Sequence, residues 1–193
     1  MRIISGEFRG RQIQTPKGGA IRPTTSQARQ SLFNICQGYI AGAHFLDLCA
    51  GSGAMGLEAL SRGAASATFV ENERQALKCI HDNVALLKVS DRSRIYSGSV
   101  FELLPKLEKQ SKRFDVIYCD FPYGVTCLHE GRDVLALTRA LEIFDASSIL
   151  AEGGEVFIEG AASEEDEPLL VHLVLKSSRR LAAARLRQYT PRS

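Results

Sequence analysis

The sequence lacks the cysteine and histidine patterns that build metal sites and disulfide frameworks. Its five cysteines are odd in number and scattered, without a CxxC pair, and its four histidines show no HxxxH or HExxH spacing. Structural zinc sites and disulfide-rich domains depend on such closely spaced ligands or on paired cysteines. We therefore expect no bound metal, and we expect reduced thiols of the kind found in a cytoplasmic protein.

Long apolar stretches are absent as well. No run approaches the roughly 20 apolar residues of a membrane-spanning helix, and Met1 to Ser5 do not lead into the pattern of a signal peptide. With 193 residues, 45% of them hydrophobic, the chain can bury one sizeable core. We predict a cytoplasmic monomer with a single domain, residues 1–193, and no membrane contact.

Charge is distributed unevenly, although the net charge is only +2. Residues 1–30 carry six basic residues against Glu7 alone, and residues 176–193 carry six basic residues and no acid. Neutralisation of phosphates supplies most sequence-independent affinity for nucleic acid, so these ends predict contacts with a polyanion. The alternative is that both ends are simply solvated. The side chains predicted to contact this polyanion are Arg9, Arg11, Arg22, Thr24, Arg29 and Arg185.

Strand and helix patterns alternate along the middle of the chain. Apolar runs predict strands at residues 44–49, 67–71, 95–97, 114–119 and 154–159, and helical spacing predicts helices at 53–62, 76–87, 100–107 and 134–144. Such alternation is typical of an α/β fold, whose mostly parallel sheet is covered on both faces and binds ligands at the carboxyl ends of its strands.

The two ends of the chain differ from this pattern. Residues 2–5 and 11–14, around Gly6 and Gly10, predict a small N-terminal β-hairpin. Residues 26–36 are typical of a helix, and residues 170–175 and 184–189 predict two closing strands, antiparallel to their neighbours. We therefore divide the domain into a hairpin extension, residues 1–24, and a catalytic core, residues 25–193.

A glycine loop follows the first predicted strand. Gly51, Gly53 and Gly56 form a GxGxxG motif, and Glu71 lies twenty residues after Gly51, as in dinucleotide-binding folds. However, the acid that precedes the glycines, Asp47, favours S-adenosylmethionine over NAD. Asp47 can reach the methionine ammonium directly or through water, and Glu71 can accept both ribose hydroxyls. The alternative for both acids is structural, as partners of helix N-termini.

Residues 120–123 complete the chemical pattern. Asp120, Phe121, Pro122 and Tyr123 follow an apolar strand, where a carboxylate, a backbone extended by proline and an aromatic ring can hold a planar base with an exocyclic amine. We predict that Asp120 and the Phe121 carbonyl accept hydrogen bonds from that amine and that Tyr123 stacks on the base. Such a motif has no role in hydride transfer, and a paired base is out of reach, so the target is predicted to be single-stranded or flipped.

Four segments together resemble the RsmD family, from Arg2 to about Tyr189. They are residues 22–25 with 32–34, the loop 47–64, residues 70–71 and the motif 120–123. The family consists of bacterial 16S rRNA guanine-N2 methyltransferases that use S-adenosylmethionine. The resemblance implies a seven-stranded Rossmann-like methyltransferase fold and 16S rRNA as partner, within a small-subunit particle.

The resemblance also assigns residues to the cofactor. Ser99 stands where the family often has an acid that contacts the adenine amine, and the Val100 amide can serve adenine N1. The predicted cofactor-binding residues are Asp47, Ala50, Gly51, Ser52, Gly53, Glu71, Asn72, Ser99, Val100 and Asp120. The chain also departs from the family in having Phe121 where the first of two prolines usually stands.

Two alternatives remain open at this point. The first is a methyltransferase of the same fold that acts on the N6 amine of adenine in DNA or RNA, because that class uses a closely similar motif. The second is an RNA-binding assembly factor that retains the fold without catalysis. Cofactor binding distinguishes the enzymes from the assembly factor, and the identity of the methylated base distinguishes the two enzymes.

Overall fold

The computed structural model describes residues 1–16, 26–162, 168–182 and 184–192. Two residues predicted to contact RNA, Arg22 and Thr24, lie outside the described residues, as does the predicted boundary between extension and core. Within the described residues, no helix is long and apolar enough to cross a membrane.

Five α-helices and nine β-strands form the described part of the chain. The helices are α1 Ser26–Cys36, α2 Ala54–Ser61, α3 Arg74–Leu87, α4 Val100–Lys109 and α5 Ala136–Ala146. A single 3₁₀ turn, Ser90–Arg92, precedes the third strand. The strands are β1 His44–Leu48, β2 Ser66–Glu71, β3 Ser93–Ser97, β4 Phe114–Asp120, β5 Thr126–His129, β6 Arg132–Leu135, β7 Leu150–Ala161, β8 Leu173–Leu181 and β9 Ala184–Pro191.

Seven of these strands form one sheet in the order β3-β2-β1-β4-β7-β9-β8. Neighbours from β3 to β7 pair in parallel, whereas β9 is antiparallel to both β7 and β8. The predicted mostly parallel sheet with an antiparallel C-terminal strand is therefore confirmed. The strand order reverses between β1 and β4, which is where ligands bind in open α/β sheets.

Successive residues of a strand point to opposite sides of the sheet. Because consecutive residues of β1, β2 and β4 are buried, both faces of the sheet are covered in its centre. On one face Leu46 and Ile117 pack in the core that contains residues of α4 and α5. On the other face Phe45 packs with α1, and Phe69 packs with α2 and α3. The carboxyl ends of β1, β2 and β4 thus reach one edge of a layer held rigidly from both sides.

The N-terminal segment packs against α2 rather than forming a long hairpin. One antiparallel bridge joins Arg2 to Gln12, and the buried carboxylate of Glu58 accepts hydrogen bonds from the Ile4 and Ser5 amides at 2.8 and 3.0 Å. Gly6 approaches this helix so closely that a Cβ there would lie 1.8 Å from the Ser61 carbonyl oxygen.

This docking corrects the prediction for Arg29. Its guanidinium is buried, donates to the Arg2 carbonyl at 3.1 Å and lies 3.8 Å from Glu58. Burial lowers the pKa of Arg29, while the nearby carboxylate of Glu58 opposes that change. Arg29 therefore holds the N-terminal segment against α1 and α2, and its side chain is not exposed for contact with RNA.

A second hairpin lies where the sequence pattern predicts only the start of a helix. Strands β5 and β6 pair antiparallel in a sheet of their own, so the predicted helix begins at Ala136 rather than at Val134. The two turn residues, Glu130 and Gly131, have φ values of 50° and 76°. Positive φ at both central positions is typical of a tight hairpin turn, but Glu-Gly signals that turn less strongly than Asn-Gly or Asp-Gly.

Candidate active site

A cavity of about 540 Å³ lies at the carboxyl ends of the central strands. The glycine loop, the end of β2, the start of α4 and residues 120–123 contribute to its wall. Eight of the ten predicted cofactor residues line it: Ala50, Gly51, Ser52, Glu71, Asn72, Ser99, Val100 and Asp120. All four predicted catalytic residues line it as well. Residues separated by more than a hundred positions thus meet in one site.

The glycine loop turns sharply between β1 and α2. Cys49, Gly51 and Gly53 all have positive φ, at 56°, 57° and 76°, and Gly53 donates to the Ala50 carbonyl at 2.7 Å. Glycine adopts such φ values at little cost. Gly56 serves a different purpose, because a Cβ at this position would lie 2.3 Å from the buried ring of Phe69. The motif therefore combines a tight turn with close packing of helix on sheet.

Asp47 lies beneath the glycine loop and not on the wall of the cavity. Its side chain is buried and accepts a hydrogen bond from the Gly56 amide, in the first turn of α2, at 2.9 Å. Burial raises the pKa of Asp47 well above its usual range; the Gly56 bond lowers it, and the charges of Asp120 and Glu71 raise it further. The structural alternative for Asp47, a contact with a helix N-terminus, is thus present in the molecule.

Glu71 ties the loop to the end of β2. Its Oε2 accepts from the Gly51 amide at 2.7 Å, and its Oε1 accepts from the Asn72 and Glu73 amides at 2.8 and 2.9 Å. A carboxylate offers about four acceptor sites, so these three bonds leave roughly one on Oε2. Binding a ribose diol at both oxygens would therefore require Glu71 to share or release one backbone bond.

Acidic groups dominate the cavity. Glu71, Glu73, Asp120 and Glu159 line it, and none of its described lining residues is lysine, arginine or histidine. Burial raises the pKa of the Cys49 thiol first, and the charges of Glu71, Asp120 and the underlying Asp47 raise it further. A wall with this balance of charge is suited to a cationic ligand and unfavourable for phosphate.

Phe121 occupies a defined place in the core beside the motif. Its ring is buried and stacks on Phe101 of α4, with 5.8 Å between ring centroids and 8° between ring planes. A proline could not make this contact. Phe101 thus gives the ring of Phe121 a stacking partner where the family usually has a proline. This contact involves the side chain of Phe121 and not its backbone carbonyl.

Several residues of the cavity wall were not predicted. Thr15 and Pro16 belong to the N-terminal segment, and Val125 and Ala136 flank the β5–β6 hairpin. Glu159 on β7 lies opposite Asp120 on β4, in the last residue pair of these two strands. Glu159 also accepts a hydrogen bond from the Tyr118 hydroxyl at 2.8 Å. An acid at the end of the fifth strand of the core was a usable signal for Glu159, whereas Thr15 and Pro16 carry no signal in the sequence.

Asn83 brings the N-terminal segment to the cavity. Its side-chain oxygen accepts from the Gln14 amide at 2.7 Å, and its nitrogen donates to the carbonyls of Gln14 and Ser52, each at 3.0 Å. One buried amide therefore joins the segment that carries Thr15 to the glycine loop. A long-range contact of this kind leaves no local pattern in the sequence.

Comparison with known proteins agrees with this geometry. The family described as "Conserved hypothetical protein 95" matches residues 1–190. Ribosomal RNA small subunit methyltransferase D of Escherichia coli strain K12 is 37% identical over 135 residues, which are 70% of this chain and 66% of that protein. The chain belongs to the RsmD family.

Solved structures support the same fold. The Escherichia coli protein yhhF superimposes with a TM-score of 0.80 at 28% identity, over 99% of this chain and 97% of that one. The SAM-dependent methyltransferase from Agrobacterium tumefaciens shares the fold at 14% identity, with a TM-score of 0.61 over 85% of this chain and 61% of that one. The seven-stranded methyltransferase fold predicted for this RsmD-family chain is confirmed.

The arginines predicted to contact RNA differ in exposure. Arg9 and Arg11 are exposed on the N-terminal segment, and Arg11 donates to the Leu86 carbonyl at 3.4 Å. Arg185 on β9 is half-buried, and Arg187, two residues further along the strand, is buried.

Among the described residues, no cluster of histidine, cysteine and acidic side chains could hold a metal ion.

Replacing Asp47 tests whether its buried charge lowers the stability of the cofactor-free protein. A carboxyl whose pKa is raised by folding contributes stability that is fully present below its unfolded pKa, near 3.9, and that is lost progressively as pH rises to the folded pKa. We therefore expect Asp47→Asn, whose amide oxygen keeps an acceptor for Gly56, to raise the free energy of unfolding of the cofactor-free protein at pH 7. Urea unfolding from pH 4.5 to 8 measures this. A variant less stable than the parent at pH 7 would contradict it.

Replacing Phe121 separates packing from catalysis. Phe121→Pro removes the ring that stacks on Phe101, and we expect a loss of about 3 kcal/mol in the free energy of unfolding, as for other truncated core phenylalanines. The backbone carbonyl remains, and Pro122 already favours the extended conformation of the preceding residue. Single-turnover methylation at low temperature should therefore stay within about tenfold, or ~1.4 kcal/mol. An inactive but folded variant would mean that the phenyl ring takes part in base binding.

Proposed function

We propose that the protein transfers a methyl group from S-adenosylmethionine to the exocyclic N2 amine of a guanine in 16S rRNA. The observation that carries this proposal is the acidic cavity, where four carboxylates and no basic side chain are found among the described lining residues. S-adenosylmethionine presents a sulfonium and an ammonium, whereas NAD would bring a pyrophosphate against these carboxylates. S-adenosylmethionine would supply an electrophilic methyl group. The residues of the chain would bind this cofactor and orient the target amine.

The residues that would hold the cofactor come from three strand ends. The loop carrying Ala50, Gly51, Ser52 and Gly53 would let the backbone approach the ligand. Asp47 beneath it would favour the ammonium once the cation stabilises its ionised form. Glu71 and Asn72 would hold the ribose, with one acceptor site of Glu71 still open. Ser99 and Val100 stand where α4 begins, so their backbone groups can meet the adenine edge.

The chemistry requires alignment more than a strong base. The lone pair of an aromatic amine is delocalised into the purine, so acceptors must turn the nitrogen toward the methyl group. Asp120 and the Phe121 carbonyl are proposed as those acceptors, Pro122 fixes the backbone between them and the ring, and Tyr123, 38% exposed at the rim, stacks on the base. Positioning of two reactants can supply as much as ~7–11 kcal/mol of a barrier.

Glu159 favours guanine over adenine as the target. It lies beside Asp120 in the β4–β7 register, so two carboxylates face the same part of the cavity. Guanine offers N–H donors at both N1 and N2, whereas adenine has an acceptor at N1. A carboxylate facing that acceptor would meet a lone pair where guanine offers an N–H donor, which costs binding energy. The adenine enzyme is therefore the second candidate.

The test is methylation of unmethylated small-subunit rRNA, as a transcript and as an assembled particle, followed by mass spectrometry of the nucleosides. We expect N2-methylguanosine, and we expect Asp120→Ala to lower single-turnover methylation about 10²–10³-fold by removing a preorganised acceptor. N6-methyladenosine would establish the adenine enzyme. Calorimetric titration that shows no binding of S-adenosylmethionine, or tighter binding of NAD, would refute the proposed activity and leave the assembly factor.

Exposed arginines on the N-terminal segment are proposed to contact phosphate. The double variant Arg9→Gln with Arg11→Gln should flatten the slope of log affinity for rRNA against log salt by about 0.7–0.9 for each phosphate that is no longer neutralised. The matched control removes the same charge elsewhere on the surface, with Lys112→Gln and Arg113→Gln, which are exposed before β4. Equal slopes for the two double variants would mean that Arg9 and Arg11 are merely solvated.

A further inference from the structure

The two closing strands carry a pair of arginines directly opposite each other. In the antiparallel pairing of β8 with β9, Arg180 lies across from Arg185, next to the last residue pair before the turn. Like charges directly opposite each other destabilise a sheet. Among the described residues, neither guanidinium forms an ion pair with an acid that would offset this repulsion. The arginine pair is therefore unfavourable for folding, and a bound anion would relieve it.

Strand register places this arginine pair beside the wall of the cavity. Arg185 is paired with Gly160 of β7, and the residue before Gly160, Glu159, lines the cavity. Neighbouring strands of a sheet lie about 4.8 Å apart. The backbone of Arg185 is thus one strand spacing from the strand that carries Glu159, and that of Arg180 is two.

The arginine pair lies on the face of the sheet that α5 covers. Leu186 packs with α1 in the core on one face, so its neighbour Arg185 points to the other face. Arg187 shares that face with Arg185 and lies across from Ile158, which packs in the core that contains α5. The first residue of α5, Ala136, lines the cavity. The arginine pair and the cavity-lining start of α5 are therefore on the same side of the sheet.

The chemistry of the cavity indicates which anion fits this position. A guanine bound in the cavity must leave its phosphates outside, because the four carboxylates of the wall repel them. Covalent continuity of the RNA keeps those phosphates within about one nucleotide of the cavity. Arginine stays protonated and binds phosphate through paired hydrogen bonds, so two arginines beside the wall are suited to the RNA backbone at this point.

We propose that Arg180 and Arg185 together bind a backbone phosphate of the rRNA next to the target guanine. The inference rests on the proposed function, since it is the guanine in the cavity that brings the phosphate to the arginine pair. The sequence alone predicts a polyanion contact for Arg185. The strand register adds Arg180 and assigns both to one face and one phosphate.

Arg179 provides a matched control within the same strand. Its side chain is exposed, like that of Arg180, but it lies across from Leu186 and hence on the opposite face. Arg180→Gln should weaken binding of the small-subunit rRNA, in the form that the parent methylates, about tenfold. It should also flatten the slope of log affinity against log salt by about 0.7. Arg179→Gln should leave both quantities close to those of the parent, and neither variant should change the affinity for S-adenosylmethionine.

A charge-conserving variant separates general attraction from paired hydrogen bonding. Arg180→Lys keeps the positive charge but lacks the planar fork of the guanidinium. We expect it to retain the salt slope of the parent and to bind the RNA less tightly than the parent does.

The repulsion within the arginine pair predicts an effect without RNA. Arg180→Gln should raise the Tm at low salt more than Arg179→Gln does, and added salt should reduce the difference because it screens exposed charges. Equal Tm values, or equal RNA affinities and salt slopes, for these two variants would overturn the inference. Both arginines would then serve only to protect β8, the edge strand of the sheet. Failure of the proposed function would be seen differently, as the absence of N2-methylguanosine from RNA treated with the parent, and would overturn the inference with it.

Discussion

The hydrogen bonds of Glu71 set the geometry on which the cavity depends. One carboxylate satisfies three backbone N–H groups, from Gly51, Asn72 and Glu73, and so fixes the glycine loop against the end of β2. Buried or half-buried amides without partners would each cost about 1–3 kcal/mol. Because the acid holds the loop, a ligand contact at the open site of Glu71 adds to its structural role, whereas a second contact would compete with one of these backbone bonds.

The same principle governs the N-terminal segment. Glu58 and Asn83 are fully buried polar side chains, and each is satisfied by backbone groups of residues that precede α1. Glu58 additionally pairs with Arg62 at 2.9 Å. Removal of one partner from such a network leaves a buried group unsatisfied. The segment is therefore packed firmly against α2 and α3, and its last described residues, Thr15 and Pro16, line the cavity.

The sequence predicts those features that have local patterns. Periodic apolar residues were sufficient for the seven strands of the sheet and for the helices. The glycine loop, the acids at strand ends and the family resemblance together selected eight proposed cofactor residues and the motif 120–123, all of which line the cavity. Features that depend on distant partners have no such pattern. Arg29 has the same local context as a surface arginine, and only the approach of Glu58 and Arg2 shows that it is buried. The β5–β6 hairpin was not predicted because Glu-Gly is a weak turn signal and helical spacing also fitted residues 134–135.

The placement of Asp47 suggests how the fold and the proposed cofactor depend on each other. Burial and the charges of Asp120 and Glu71 disfavour its ionised form, so the cofactor-free site carries an electrostatic penalty at neutral pH. A bound cation would reverse the sign of the local field and favour the carboxylate. Part of the affinity for a sulfonium and ammonium ligand would then come from relief of repulsion already present in the protein. A ligand that binds only the native state stabilises that state by mass action. The cluster of acids would therefore destabilise the cofactor-free protein and stabilise its complex with the cofactor.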